Sequence, residues 1–267
     1  MKQDSEEIKN KITHHDILLI FLFFVGTGFE PGHPDIMSFG ATIVLSVLMS
    51  IVLMIDVYLI RKVANQEKIY QEKLPLSKPQ KFLSLGLLVY FVVIYTINGN
   101  IQSLLEFFKE SPKMILSCTM VALGAGFFEE YLFRGYLVNL TQRILNRFKI
   151  QHNRLIIISI STSLAFSALH LSNLSVYPSS SAVYQQVFYA FGSGLLFMIF
   201  RVLTNSILVA AIAHFLFDWQ STITGNLPVS PWSDILLTFL PLVVIAIVWL
   251  VSMDKTIVRK QILELKP

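Results

Sequence analysis

The sequence predicts an all-α, polytopic transmembrane bundle of about eight helices with both termini in the cytoplasm. Three observations carry that expectation. Hydrophobic residues make up 54% of the 267 and charged residues only 14%, whereas soluble domains carry about 25% charged residues. Apolar runs recur along nearly the whole chain. Lysine and arginine collect in alternate connections between those runs, as the positive-inside rule requires. The net charge of +4 is modest, and its placement in loops points to membrane topology and away from nucleic acid.

Taken in order, residues 1–15 form a cytoplasmic tail whose acidic content and length do not fit a signal peptide. The first apolar run, Ile17–Phe29, is short for a span, since about 20 residues are needed to cross. Pro and Gly in Glu30-Pro31-Gly32-His33-Pro34-Asp35 end it in an external turn. A second run, Phe39–Ile60, leads into a basic cytoplasmic loop, Gln66–Lys81, that contains Pro75 and Pro79. A third, Phe82–Ile97, is again short, and a fourth, Met114–Leu137, is followed by Arg143, Arg147, Lys149 and Arg154. The fifth, Leu155–Leu171, precedes an uncharged, Ser-rich segment, Ser172–Ser181, which reads as a mobile external loop. Val183–Leu203, Ser206–Ile223 and Ile235–Ser252 complete the set, and residues 254–267 are read as a cytoplasmic tail. One membrane domain, residues 16–253, therefore holds the function. The single cysteine, Cys118, excludes an intramolecular disulfide and reads as a small buried side chain.

Ionisable residues inside these runs are few. Glu129, Glu130 and Arg134 lie on the fourth, His170 ends the fifth, and His214 and Asp218 lie on the seventh. Each such group costs roughly 2.5–3.5 kcal/mol at bilayer depth, so it is retained where it pairs or faces a cavity. Glu130 and Arg134 are four apart with the acid N-terminal, the favourable order for an ion pair on one helix face. Glu129 points elsewhere and has no partner within its own segment, which makes it the candidate general base. The fourth and fifth helices form a hairpin turning near Lys149–Arg154, and at 1.5 Å per residue Glu129 and His170 both lie about 30 Å from the turn. His214 and Asp218 share a face at i,i+4, with His214 about 15 Å into the membrane. Structural readings stand beside each of these: a salt bridge for Glu130 and Arg134, an interhelical hydrogen bond for His214, a helix-end cap for Asp218. Gly192-Ser193-Gly194 reads as a close-packing stretch; it also imitates a serine-protease nucleophile, with no matching His spacing to support that. Six polar groups on three helices at similar depth call for a shared reason.

The pattern Glu129-Glu130-x-x-x-Arg134, Phe166-x-x-x-His170 and His214-x-x-x-Asp218 resembles the CPBP family, the CAAX proteases and bacteriocin-processing enzymes also called Abi, over about Met114–Trp219. The resemblance implies an eight-helix intramembrane endopeptidase, a hydrolase of the cell membrane. Its eukaryotic and archaeal members remove the last three residues of prenylated CAAX proteins. Its bacterial members are linked to peptide processing and bacteriocin immunity. It further implies that Glu129 and His170 activate water, that His214 and the residue four later stabilise the oxyanion, and that Glu130 and Arg134 hold the first Glu in place. The best-studied CAAX proteases have Asn at the position of Asp218, and an ionised Asp cannot donate to an oxyanion. Asp218 therefore is protonated, orients His214, or helps bind a divalent metal. Glu129, His170, His214 and Asp218 form an adequate zinc set on residue type, so a metalloprotease and a metal-independent glutamate protease both stay open. His-Glu-x-x-His and Gly-x-Gly-Asp protease motifs are missing from the chain. Beside a protease acting on a membrane-associated peptide or protein, a non-catalytic membrane regulator or immunity protein and an ion-coupled transporter stay open, the last on the ground that buried Glu, His and Asp also serve as relays.

Overall fold

The computed structural model describes residues 14–28, 37–64, 69, 76–221, 223 and 227–264. Residues 1–13 of the expected N-terminal tail, the turn Glu30–Asp35 and most of the loop Gln66–Lys81 lie outside the described residues, and the tail's last two residues, His14 and His15, are helical. The chain is a polytopic helical bundle with no strand among the described residues. Its helices are α1 (His14–Gly28), α2 (Phe39–Ala64), α3 (Lys78–Ile97), α4 (Asn100–Phe107), α5 (Pro112–Arg147), α6 (Arg154–Ser175), α7 (Ser180–Thr204), α8 (Ile207–Asp218) and α9 (Trp232–Glu264). Six of them, α2, α3, α5, α6, α7 and α9, are long and apolar enough to cross a membrane. The other two predicted runs are helical but shorter: α1 has 15 residues and α8 has 12.

Local sequence sets where the helices begin. Ser77 and Gln80 form a reciprocal capping box at the start of α3. Ser111 accepts from the Met114 amide at the start of α5, with Pro112 in the first turn, where its missing N–H costs nothing. Ser179 accepts from the Ala182 amide to start α7. At α6 the cap comes from a distant element: Asn153 stands in the left-handed region at φ 56° without a side-chain cap, and Asp254 of α9 accepts from the Leu155 amide at 2.7 Å.

The bundle is layered by burial. The apolar stretches of α7 and α5 are mostly buried and those of α2 and α3 mostly exposed, so α5 and α7 are central and α2 and α3 are peripheral. Polar contacts tie α3 to α9. Gln80 donates to the Ser252 carbonyl at 3.1 Å and to Thr256 at 2.8 Å, and Trp249 donates to Ser84 at 2.9 Å.

Four elements differ from the expectation. A short helix, α4, occupies the connection between the third and fourth runs, where hydropathy predicts no helix. The helix expected over Ser206–Ile223 ends at Asp218, because Trp219 leaves helical geometry (φ −77°, ψ 81°). The first four residues of the segment Ser172–Ser181 belong to a 3-10 turn, His170–Ser175, tied to α7 by Asn173 donating to Gln186 at 2.8 Å. Finally, α9 continues to Glu264, and Asp254, assigned to the tail, is buried.

Candidate active site

The centre of α5 departs from α-helical bonding. Gly124–Glu129 and Tyr131–Leu137 are π-helical, with Glu130 between them. Bonding to i+5 widens the turn and shortens the angular step between neighbours. Glu129 and Glu130 can then both approach His214. Glycine permits the close approach this needs. A Cβ on Gly126 would stand 2.7 Å from the Phe215 amide nitrogen and 2.8 Å from the Ala211 carbonyl oxygen, so the backbones of α5 and α8 meet there.

The ion pair expected on α5 is present. Arg134 Nε lies 3.1 Å from Glu130 Oε2, and both side chains are fully buried. The contact is an ion pair by distance rather than an aligned hydrogen bond. The pair does not close on itself. Glu130 Oε1 lies 3.0 Å from His214 Nδ1, and Arg134 donates through Nη2 to the Gly194 carbonyl at 2.8 Å. On its other side the His214 ring places Nε2 3.1 Å from Asp218 Oδ2 and 4.0 Å from Glu129 Oε2. The order is Arg134, Glu130, His214, Asp218, with Glu129 against the same ring nitrogen as Asp218. Exposure separates the carboxylates: Glu130 is at 0%, Glu129 at 18% and Asp218 at 26%.

Phe166 joins His170 to this group. The Arg134 guanidinium lies over the Phe166 ring at 4.5 Å, and Phe166 meets His170 at 5.1 Å and His214 at 5.7 Å in T-shaped contacts. The contact between residues 134 and 166 is in step with the expected hairpin register. His170 Nδ1 faces the Phe166 carbonyl at 3.1 Å. That carbonyl accepts an N–H, so the tautomer with the proton on Nδ1 leaves the Nε2 lone pair outward. His170 also lies within electrostatic range of His214, Asp218 and Arg134.

Two contributions come from α7, which the sequence motifs did not include. Phe197 stacks on His214 at 4.7 Å with 20° between the planes. Gly194, read as a packing residue, supplies the carbonyl that Arg134 binds; a Cβ there would meet Arg134 at 3.0 Å and both Phe166 and Ser163 at 3.2 Å. Its place one helical turn from Phe197, among aromatic residues, is the signal the sequence offered.

The residues named for a zinc ion do not form a ligand set. The ring nitrogens of His214 face Glu130 and Asp218, and among the described residues no group of three or more His, Cys, Asp or Glu is arranged to hold a metal ion. Cys118 is buried beside Met114, as a small apolar side chain would be.

The family model described as type II CAAX prenyl endopeptidase Rce1-like matches residues 111–220. The chain carries a CAAX-protease-family core. That core begins at the cap of α5 and ends two residues past Asp218, so it contains all six polar groups named from the sequence. Comparison with curated proteins found no match, and comparison with solved structures found none either. At family level the CAAX-protease core is that of a peptide-bond hydrolase within a multi-pass membrane protein.

Proposed function

We propose that the chain is an intramembrane endopeptidase that hydrolyses a peptide bond in a membrane-associated peptide or protein, using water activated by Glu129 with His170. The observation that carries this reading is the division of labour between the two adjacent carboxylates. Glu130 is fully buried and shared between Arg134 and His214, which leaves it no access to water or substrate. Glu129 is one residue away, partly exposed, and directed at the same histidine.

In this reading Glu129 takes a proton from water as the oxygen attacks the scissile carbonyl, with His170 orienting that water through its outward Nε2. Negative charge then develops on the carbonyl oxygen. His214 lies between two carboxylates and can donate from both ring nitrogens only as the imidazolium. A fixed cation beside the developing oxyanion lowers the barrier without reorganisation of solvent. Asp218 acts here as the counter-ion that orients His214. Glu130 and Arg134 hold the π-helical segment in register. As the intermediate collapses, the C–N bond breaks and the proton held by Glu129 passes to the leaving amine. No step passes through a metal ion.

The substrate of this proposal is a short membrane-associated peptide or precursor, in a cell membrane with both termini of the chain cytoplasmic. The test compares wild type with Glu129→Ala at equal membrane abundance, profiling peptides and shortened membrane proteins by mass spectrometry. Fragments that vanish in the variant support proteolysis and locate the cleavage sites. Matching profiles with an unchanged cellular phenotype would leave a non-catalytic regulator or immunity protein in its place.

A further inference from the structure

Helix α4 lies outside the CAAX-protease core and presents three faces. Asn100 and Phe107 are fully buried. Ile101 and Leu105 are 47% and 64% exposed. They follow in the chain on Ile97, 70% exposed at the end of α3, after the turn at Gly99 (φ 74°), while Phe108 just past the helix packs against Trp219 at 5.9 Å. Gln102, Glu106 and Lys109 are also exposed and form a polar stripe one residue further round. An apolar stripe and a polar stripe side by side on the outside of one helix mark an element lying along the membrane–water boundary. Both apolar residues follow directly in the chain on the exposed apolar end of α3, so the occupant they fit is lipid.

The buried face grips the end of α8. Asn100 donates through Nδ2 to the Phe217 carbonyl, one of the carbonyls that a helix C-terminus leaves without an internal partner. Ser103 accepts from the Ser221 amide at 3.4 Å, and Phe107 packs edge-on against Trp219 at 5.4 Å. Residues 217, 219 and 221 are thus held by α4 on either side of Asp218, whose carboxylate meets His214 at 3.1 Å.

We propose that α4 is an interfacial strap: its outer stripe rests on the lipid surface, while Asn100 acts as a positioning residue that fixes the end of α8 so that Asp218 meets His214. The catalytic part of this inference rests on the endopeptidase reading; the structural part does not. The experiment uses the full chain in phosphatidylethanolamine/phosphatidylglycerol nanodiscs. Single cysteines at positions 105 and 102, in a Cys118→Ala background, carry an environment-sensitive fluorophore. The probe at 105 is quenched by nitroxide-labelled lipid and the probe at 102 by aqueous iodide. Asn100→Leu keeps a side chain of similar size but removes the donor. Amide exchange over residues 213–221 then rises about tenfold, the equivalent of one lost hydrogen bond to a buried carbonyl, while exchange in α3 and α9 is unchanged. With a cleavable peptide, kcat falls by roughly ten- to a hundredfold with KM held, as misplacement of a reacting geometry produces. The exposed variant Gln102→Ala changes none of these. Unchanged exchange over 213–221 in Asn100→Leu, or equal aqueous quenching at 105 and 102, overturns the strap. If wild type cleaves no peptide while exchange and quenching follow expectation, the strap stands and the endopeptidase reading falls.

Discussion

Glu130 Oε1 lies 3.0 Å from His214 Nδ1, and the other oxygen of the same carboxylate lies 3.1 Å from Arg134. One fully buried acid therefore balances a cation from its own helix and a histidine from α8. Removing one partner of such a group leaves charge in a low-dielectric interior, at a cost of about 3–5 kcal/mol. Glu130→Ala is expected to lower thermal stability in detergent and abolish peptide cleavage together. Glu129→Ala, at a partly exposed position, is expected to abolish cleavage while its melting temperature stays close to wild type. A thermal-shift assay run beside a cleavage assay separates the two; equal loss of stability in both variants would contradict the assignment.

At Gly126 the contact is backbone to backbone. A methyl group there stands 2.7 Å from the Phe215 nitrogen, and no side-chain rotation relieves it. Gly126→Ala is expected to cost about 1–3 kcal/mol, as overpacking does, and to reduce activity by pushing His214 away from Glu130. Gly86→Ala meets nothing within 4 Å and serves as the tolerated control.

Phe197 holds His214 by its face rather than by its nitrogens. The stacked geometry at 4.7 Å contributes about 0.5–1.5 kcal/mol beyond area burial. Phe197→Leu is expected to retain the fold and lower kcat, while Phe197→Tyr recovers most of it. In nuclear magnetic resonance of labelled histidine, the His214 signal loses the ring-current contribution of Phe197 in the Leu variant and regains it in the Tyr variant, the contribution of Phe166 remaining in both. An unmoved His214 signal in Phe197→Leu would refute the stacking role.

Asp254 caps α6 from another helix at 2.7 Å. Asp254→Ala is expected to destabilise by about 0.5–2 kcal/mol, the usual worth of an N-terminal cap. The loss should appear as faster amide exchange over the first turn of α6, with the cleavage pH profile unchanged.

Much of this architecture is legible in the chain because hydropathy and charge act over whole segments. Five of the six long spans follow directly from apolar length, α3 reaches spanning length only by taking in the polar first turn from Lys78, and the Glu130–Arg134 pair follows from i,i+4 spacing. Other features depend on contacts that no local pattern encodes. A helix period assigns Glu129 and Glu130 to different faces, and the π-helical register of α5 relaxes that separation. Glu130 reads as neutralised by Arg134, and only α8 packing at Gly126 brings His214 to its other oxygen. Phe197 is one aromatic among 21 phenylalanines, and nothing in its neighbourhood announces a histidine. Helix α4 is too short and too polar for a hydropathy window to register.

Helix α8 has 12 residues. At 1.5 Å per residue it extends about 18 Å, against a hydrocarbon thickness of about 30 Å. With α4 on the lipid surface and holding the Asp218 end, that surface is drawn inward locally to meet the short helix. Solvent descends most cheaply into such a dent, and lipids around it must shorten or tilt to follow. A hydrolase needs one water per turnover, and a stubby helix is a direct way to hydrate a buried reaction centre without boring a channel through the bundle. Bilayer thickness thereby becomes a variable of the chemistry: a thicker membrane presses closed the same shallow basin that a thinner one leaves filled.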